Sequence, residues 1–202
     1  MDYTIIIQSF LTAATAIIIG WFTYNQRSKD KKTDLKIENV RRENEKHVSK
    51  SNRDIAIIYG ELWTLLGLLD ADRCFIIQPY PEKKHMFITA VFEVTKKGVS
   101  HVRDIIKDIP VSEVASFTKE LATKKFLEYD DIDKQVKDLK IKSLMRIAGT
   151  TNIHIQQMTN LHDEWIGSLV IENTFGKELD ERARDMMRSV AQVIQFILPP
   201  IN

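Results

Sequence analysis

Cysteine is almost absent from this chain. Cys74 is the only one among 202 residues, so no disulfide can form within it. That usage fits a reducing compartment and equally suits a stable domain outside one. Net charge is also nearly absent. The 29 Lys and Arg against 28 Asp and Glu leave +1, which argues against bulk nucleic-acid binding. The motifs of common catalytic chemistry are missing too: there is no G-x-S-x-G, no phosphate loop and no G-x-G-x-x-G. None of the five histidines, His47, His85, His101, His154 and His162, pairs with another at i,i+4 beside a carboxylate, so no metal site is expected. The acidic run from Tyr129 to Asp133 lacks the spacing and glycine of a calcium loop. Cys74 lies beside Phe75 and Ile76, which favours an inert core thiol. His162, Asp163 and Glu164 read as a solvated hairpin tip. These absences together exclude a recognisable enzyme, and no cofactor is expected.

What is present begins with an uncharged run, YTIIIQSFLTAATAIIIGWFTY, from Tyr3 to Tyr24. As a helix it reaches roughly 33 Å, close to the thickness of a bilayer core. Trp21, Phe22 and Tyr24 at one end and Tyr3 at the other resemble interfacial aromatic belts. A cleaved signal fits less well, because the chain opens Met1-Asp2 and the run ends in bulky aromatics rather than a small-residue cleavage site. A single retained span over residues 3–24 is therefore expected, with a signal or a buried core helix as the alternatives. Arg27, Lys29, Lys31 and Lys32 follow it. The positive-inside rule then predicts an inner-membrane, single-pass protein with its C-terminal part in the cytoplasm. Gln8, Thr12, Ala16 and Gly20 recur every four residues and line one face, where small and polar side chains allow close helix pairing in lipid.

Residues 25–54 form a charged connector. Arg27 to Asp54 hold ten Lys or Arg and six Asp or Glu, with no Gly or Pro. This composition predicts a solvated helix. A heptad seam from Ile37 through Val40, Asn44 and His47 is too polar for an autonomous coiled coil.

From residue 55 to 202 the pattern is that of a folded domain. Ile55, Ile58, Leu62, Leu65 and Leu69 mark one face of an amphipathic helix, widened by Trp63 and Leu66. Arg73 to Gln78 reads as a strand stopped by Pro79 and Pro81, and His85 to Val94 as its hairpin partner across PEKK. SHVRDIIKDI reads as helix. So does SEVASFTKELATKKFLEY, with Ser112 as a cap and Val114, Phe117 and Leu121 on its buried face. KQVKDLKIKSLMRIAG fits helix or strand. TNIHIQQMT and EWIGSLVIEN are strands joined by NLHD; in the second, Trp165, Gly167, Leu169 and Ile171 share one face and Ile166, Ser168 and Val170 the other. A last helix begins at Asp180 and buries Ala183, Met187, Val190, Ile194 and Ile197, ending before Pro199-Pro200. The expected fold class is α+β: an antiparallel sheet with flanking helices, packed on one face.

The opening helix IAIIYGELWTLLGLL, the strand after DADRC, the pair NIHIQQMT and EWIGSLVIENTF, and the closing LDERARDMMRSVAQVIQFIL together resemble the GAF domain family, over about residues 55–198. The glycine of WIGSLVI falls where members commonly carry one. The resemblance implies a small-molecule or signal-sensing module that dimerises through its terminal helices. Cyclic-nucleotide-binding members carry an Asn-Lys, a Phe and an Asp-Glu pair. Asn173, Phe175, Asp180 and Glu181 match these loosely, but Thr174 replaces the Lys and the spacing is compressed, so cyclic nucleotide binding is not implied. Nor is a bilin attachment site, since Cys74 lies on the first strand. The order of span, stalk and α/β domain also resembles the holins of T-even phages. Against that, the chain lacks their longer charged N-terminal section, and its basic flank opposes an external C-terminal domain.

The expected function is a membrane-anchored, non-enzymatic sensory, regulatory or protein-interaction module. Its partners would be membrane lipid, further copies through the span and the terminal helices, and a small molecule or regulatory protein. Gln78, Thr89, His154 and Gln156, on the central strands, are the candidate ligand-pocket residues, subject to strand register. The alternative is a holin-type lysis protein, whose span oligomerises through the Gln8 to Gly20 face and whose domain binds a regulator.

Overall fold

A computed structural model describes residues 48–81, 86–174 and 182–201. The expected span with Gln8, Thr12, Ala16 and Gly20, the connector to residue 47, and the proposed cap Asp180 lie outside the described residues. Among the described residues no helix is long and apolar enough to cross a membrane. The chain divides into Met1–Lys50 and Ser51–Asn202; the fold below is that of the second unit.

Residues 48–68 are helical (α1). Ile58, Leu62, Leu65, Leu66 and Leu69 are buried as their spacing predicts, but Trp63 is 55% exposed. It follows Leu62 by one residue, a rotation of about 100° that carries it off the stripe. The strands are β1 (Arg73–Tyr80), β2 (Phe87–Thr95), β3 (Ile109–Pro110), β4 (Phe126–Tyr129), β5 (Asn152–Thr159) and β6 (Trp165–Asn173). They form one sheet in the order β3-β2-β1-β6-β5-β4, and every pairing is antiparallel. β1 does not stop at Pro79 as expected but runs on to Tyr80, with Pro79 opposite Ile88.

Between β2 and β3 the expected helix SHVRDIIKDI is absent; residues 101–108 form turns. The Glu93 carboxylate accepts hydrogen bonds from the backbone of Val102 at 2.6 Å and Arg103 at 3.3 Å, but the Ile106 carbonyl accepts the Ala90 amide of β2 at 2.8 Å and Asp108 is left-handed (φ 53), so the segment follows the sheet and does not continue as a helix. A short 3-10 turn (Val111–Val114) and helix α2 (Ala115–Lys124) follow. Ser112 caps neither; it lies inside the 3-10 turn. α2 ends earlier than expected because Lys125 takes a left-handed conformation (φ 58) and FLEY continues as β4. After a four-residue helix α3 (Ile132–Gln135), the ambiguous segment resolves as helix α4 (Leu139–Ile147). Asp138 decides this: its Oδ1 accepts from the amides of Lys140 and Ile141, each at 3.1 Å, as an N-cap does. α5 (Ala183–Ile194) closes the fold with Ala183, Met187, Ala191 and Ile194 buried; Val190 and Ile197 are only partly buried.

The helices cover both faces of the sheet rather than one. α1 and α5 pack on Cys74, Ile76, Leu169 and Ile171. α2, α4 and the turns after β2 pack on Phe75, Ile77, Val170 and Ile155. A bulge between Ile76 and Ile77 in the β1–β2 pairing sends Ile88 and Ala90 to one face and Phe92 and Val94 to the other. A second bulge, with Thr159 opposite Trp165 and Met158 opposite Gly167, exchanges the expected faces of Trp165 and Ile166.

Two glycine substitutions should have opposite signs. A Cβ on Gly167 would meet Leu198 Cδ2 at 3.0 Å, and the Ile77 carbonyl and Met158 Cε at 3.2 Å. Gly167→Ala should therefore destabilise by about 1–3 kcal/mol through overpacking. Gly60, in α1, has nothing within 4 Å of its Cβ position. Gly60→Ala should stabilise by about 0.5–1 kcal/mol by removing a helical glycine. Urea midpoints moving in the same direction for both would contradict these contacts.

Candidate functional site

The α2/α4 side of the sheet is almost wholly aliphatic, and its side chains do not quite meet. Phe75, Ile88, Ile153 and Ile155 form the floor of a cavity, Phe117, Ile141, Leu144 and Met145 its roof, and Val102 and Ile106 one side. Its empty space is about 400 Å³ counting the open mouth. Inside the walls there is room for about one or two water molecules. Asp138 fixes the roof: besides capping α4, it accepts through Oδ2 from Ser116 Oγ and from the Phe117 amide at 3.3 Å. One carboxylate thus ties α2 to α4.

Two residues with polar side chains reach the cavity wall, Thr150 and Glu172. Behind them Arg73 is wholly buried and Glu172 is 1% exposed. Arg73 Nε donates to Glu172 Oε1. Its Nη1 donates to the Ser100 carbonyl at 2.7 Å, and its Nη2 to the Ala148 carbonyl at 2.8 Å and to Thr150 Oγ1 at 3.2 Å. The Thr150 hydroxyl donates to Glu172 Oε2 at 2.8 Å. Burial pushes the Glu172 carboxyl up, against the pull of Arg73 and Thr150. This network joins β1, β6, the turn after β2 and the end of α4 at the inner end of the cavity. The wall is apolar and its few polar atoms are already engaged, so the space suits an apolar body, and one larger than a pair of waters needs the α2/α4 roof to give.

The four candidate pocket residues do not line this cavity. Gln78 Nε2 donates to the Pro199 carbonyl at 2.9 Å. Thr89 Oγ1 donates to the Ile106 carbonyl at 3.3 Å. Gln156 Nε2 reaches the carbonyls of Lys125 and Gln157. His154 alternates with Ile153 and Ile155 along β5 and so lies on the opposite face, beside the Phe126 ring at 5.8 Å. Period-two alternation decides this: β5 sends Ile153 and Ile155 to the cavity and His154 and Gln156 away. Asn173, from the loose cyclic-nucleotide match, accepts the Asp72 amide at 3.0 Å; Phe175, Asp180 and Glu181 lie outside the described residues. Cys74 is buried on the α1/α5 face, where burial pushes its thiol up and keeps it unreactive. Sequence reading passed over Arg73 and Glu172 as strand ends. The signal available was a charged residue adjoining an unbroken apolar run in both RCFII and SLVIE.

No protein-family model and no curated protein matches the sequence. Solved structures do match the fold. The cyanobacteriochrome receptor PixJ superposes with a TM-score of 0.60 at 16% identity, over 74% of this chain and 97% of that one. The blue-light-absorbing form of the PixJ GAF domain of Thermosynechococcus elongatus gives 0.59 at 16% identity, over 74% and 89%. GAF3 from a Synechocystis protein, in its photoproduct state, gives 0.58 at 11% identity, over 70% and 91%. An antiparallel sheet with these flanking helices, matched across most of each domain, makes the fold of the C-terminal unit GAF-like.

Proposed function

We propose that this chain is a membrane-tethered sensory or regulatory protein whose GAF-like domain takes a small, mainly apolar ligand between the sheet and α2/α4. The carrying observation is the aliphatic cavity with the Arg73–Glu172 network at its inner end. The similar structures are light-sensing domains by name, which supports a sensory role for the fold. A covalently held chromophore on Cys74 does not fit this cavity, because Cys74 packs on the other side of the sheet. The ligand would act through β1 and β6. Their alternate residues touch the cavity side and the α1/α5 side, so a shift in either strand reaches both terminal helices. Output then passes through helix pairing between copies, along the Gln8, Thr12, Ala16 and Gly20 face of the span and through α1 and α5. The role is regulatory rather than catalytic, and residues 3–24 hold it at the inner membrane with its domain in the cytoplasm.

The test uses the full chain in membranes. After an alkaline wash the protein should stay in the pellet, and a form lacking residues 3–24 should not. Protease added to intact cells should spare the C-terminal domain; cleavage there, with host killing on expression, would replace this reading with holin-type lysis. A thermal-shift screen of small apolar compounds should yield stabilising ligands whose effect disappears in Leu144→Phe, which narrows the mouth. Ligands acting equally on both forms would place binding elsewhere.

A further inference from the structure

On the far side of β5 the sheet edge gathers three ligand-type side chains that no sequence spacing brings together. Glu128 lies opposite His154 in the β4–β5 register. Asp130 follows in the bend just after β4. One donor atom from each lies within 4.8 Å of the others. The two carboxylates are exposed and His154 is 4% exposed. Its Nδ1 is buried with no hydrogen-bond partner. The other ring nitrogen, Nε2, has only Glu128 Oε1 at 3.5 Å, long for a hydrogen bond. The imidazole is thus buried beside two carboxylates with neither nitrogen in a hydrogen bond of ordinary length.

We propose that Glu128, Asp130 and His154 form a site for a divalent transition-metal cation, bound by one imidazole nitrogen and two carboxylate oxygens. Mixed nitrogen and oxygen donors suit zinc, manganese, cobalt or iron rather than calcium or magnesium, which take oxygen alone. Among the described residues Arg184 is the cation that faces the cluster. It holds Glu128 Oε2 at 3.2 Å and stacks over the Phe126 ring at 4.7 Å. That leaves Oε1 toward His154 and orients the carboxylate from outside, as an outer partner of a metal ligand does. Because Arg184 belongs to α5, a bound cation would couple the β4 edge to the closing helix.

Cobalt(II), titrated into the full chain in detergent micelles, is the probe. One equivalent should produce saturable visible ligand-field bands, and zinc should displace them. The exposed pair Glu128→Gln/Asp130→Asn should weaken binding more than about tenfold, since even loss of an outer partner costs that much. His154→Gln should do the same, and the carboxylate pair stands alone if that variant does not fold. Absence of saturable bands, or bands unchanged in the Glu128→Gln/Asp130→Asn protein, overturns the site.

Discussion

Arg73→Met should destabilise the domain by about 3–5 kcal/mol, the usual cost of leaving one charge of a buried pair alone. The substitution removes donors to the Ser100 and Ala148 carbonyls as well as the partner of Glu172. Two measurements separate the charge from the lost hydrogen bonds. Adding Glu172→Gln to the Met variant takes away the stranded carboxylate and should restore more than about 1 kcal/mol. The pH dependence gives the second. With Arg73 gone, only the Thr150 hydrogen bond still opposes burial, and the folded pKa of Glu172 rises further above the unfolded value of about 4.3. The folded variant then keeps a proton that the unfolded chain releases. Its stability is fully present below the unfolded value and is lost as pH rises through the folded one. The gap between variant and wild type should therefore narrow from pH 7 toward pH 5. A constant gap, together with no recovery in the double variant, would mean that Glu172 is not stranded and that the network is ordinary packing.

Phe117→Ala should cost a similar amount, about 3–5 kcal/mol, because the ring is 3% exposed and forms part of the cavity roof. The effect reaches beyond stability. The cavity would grow into an apolar space of the kind that stays dry and admits benzene. Benzene at a hundred times its dissociation constant should then return about 2.7 kcal/mol, raising the midpoint of the variant far more than that of the wild type. A loss under about 1 kcal/mol, or no benzene effect, would show that Phe117 does not close the cavity. Asp138 sharpens the comparison: it holds the Phe117 amide and caps α4, so the backbone of the roof should survive loss of the ring.

The folding pattern was written plainly where local rules dominate. The stripe of α1, the pairing of NIHIQQMT with EWIGSLVIEN, and the buried Ala183, Met187 and Ile194 of α5 follow from periods of 3.6 and 2. So did the resemblance to GAF domains, because it rests on the order of those same elements. The turns after β2 did not, because SHVRDIIKDI has helical spacing, and it is the Ile106 carbonyl bound to Ala90 of β2 and the left-handed Asp108 that end the helical course. Trp165 and Ile166 were placed on the wrong faces because a bulge is invisible until the partner strand is in register.

The site was least legible, for the same reason. Composition and periodicity by themselves determined an α+β domain with amphipathic terminal helices and the absence of known catalytic motifs. Only tertiary structure decided that Arg73 meets Glu172 ninety-nine positions away, that His154 turns from the cavity, and that it faces Glu128 across a strand pair. Sequence records which side chains share a face of one element. Which faces meet is set by register, bulges and long-range hydrogen bonds, and those exist only once the chain has closed on itself.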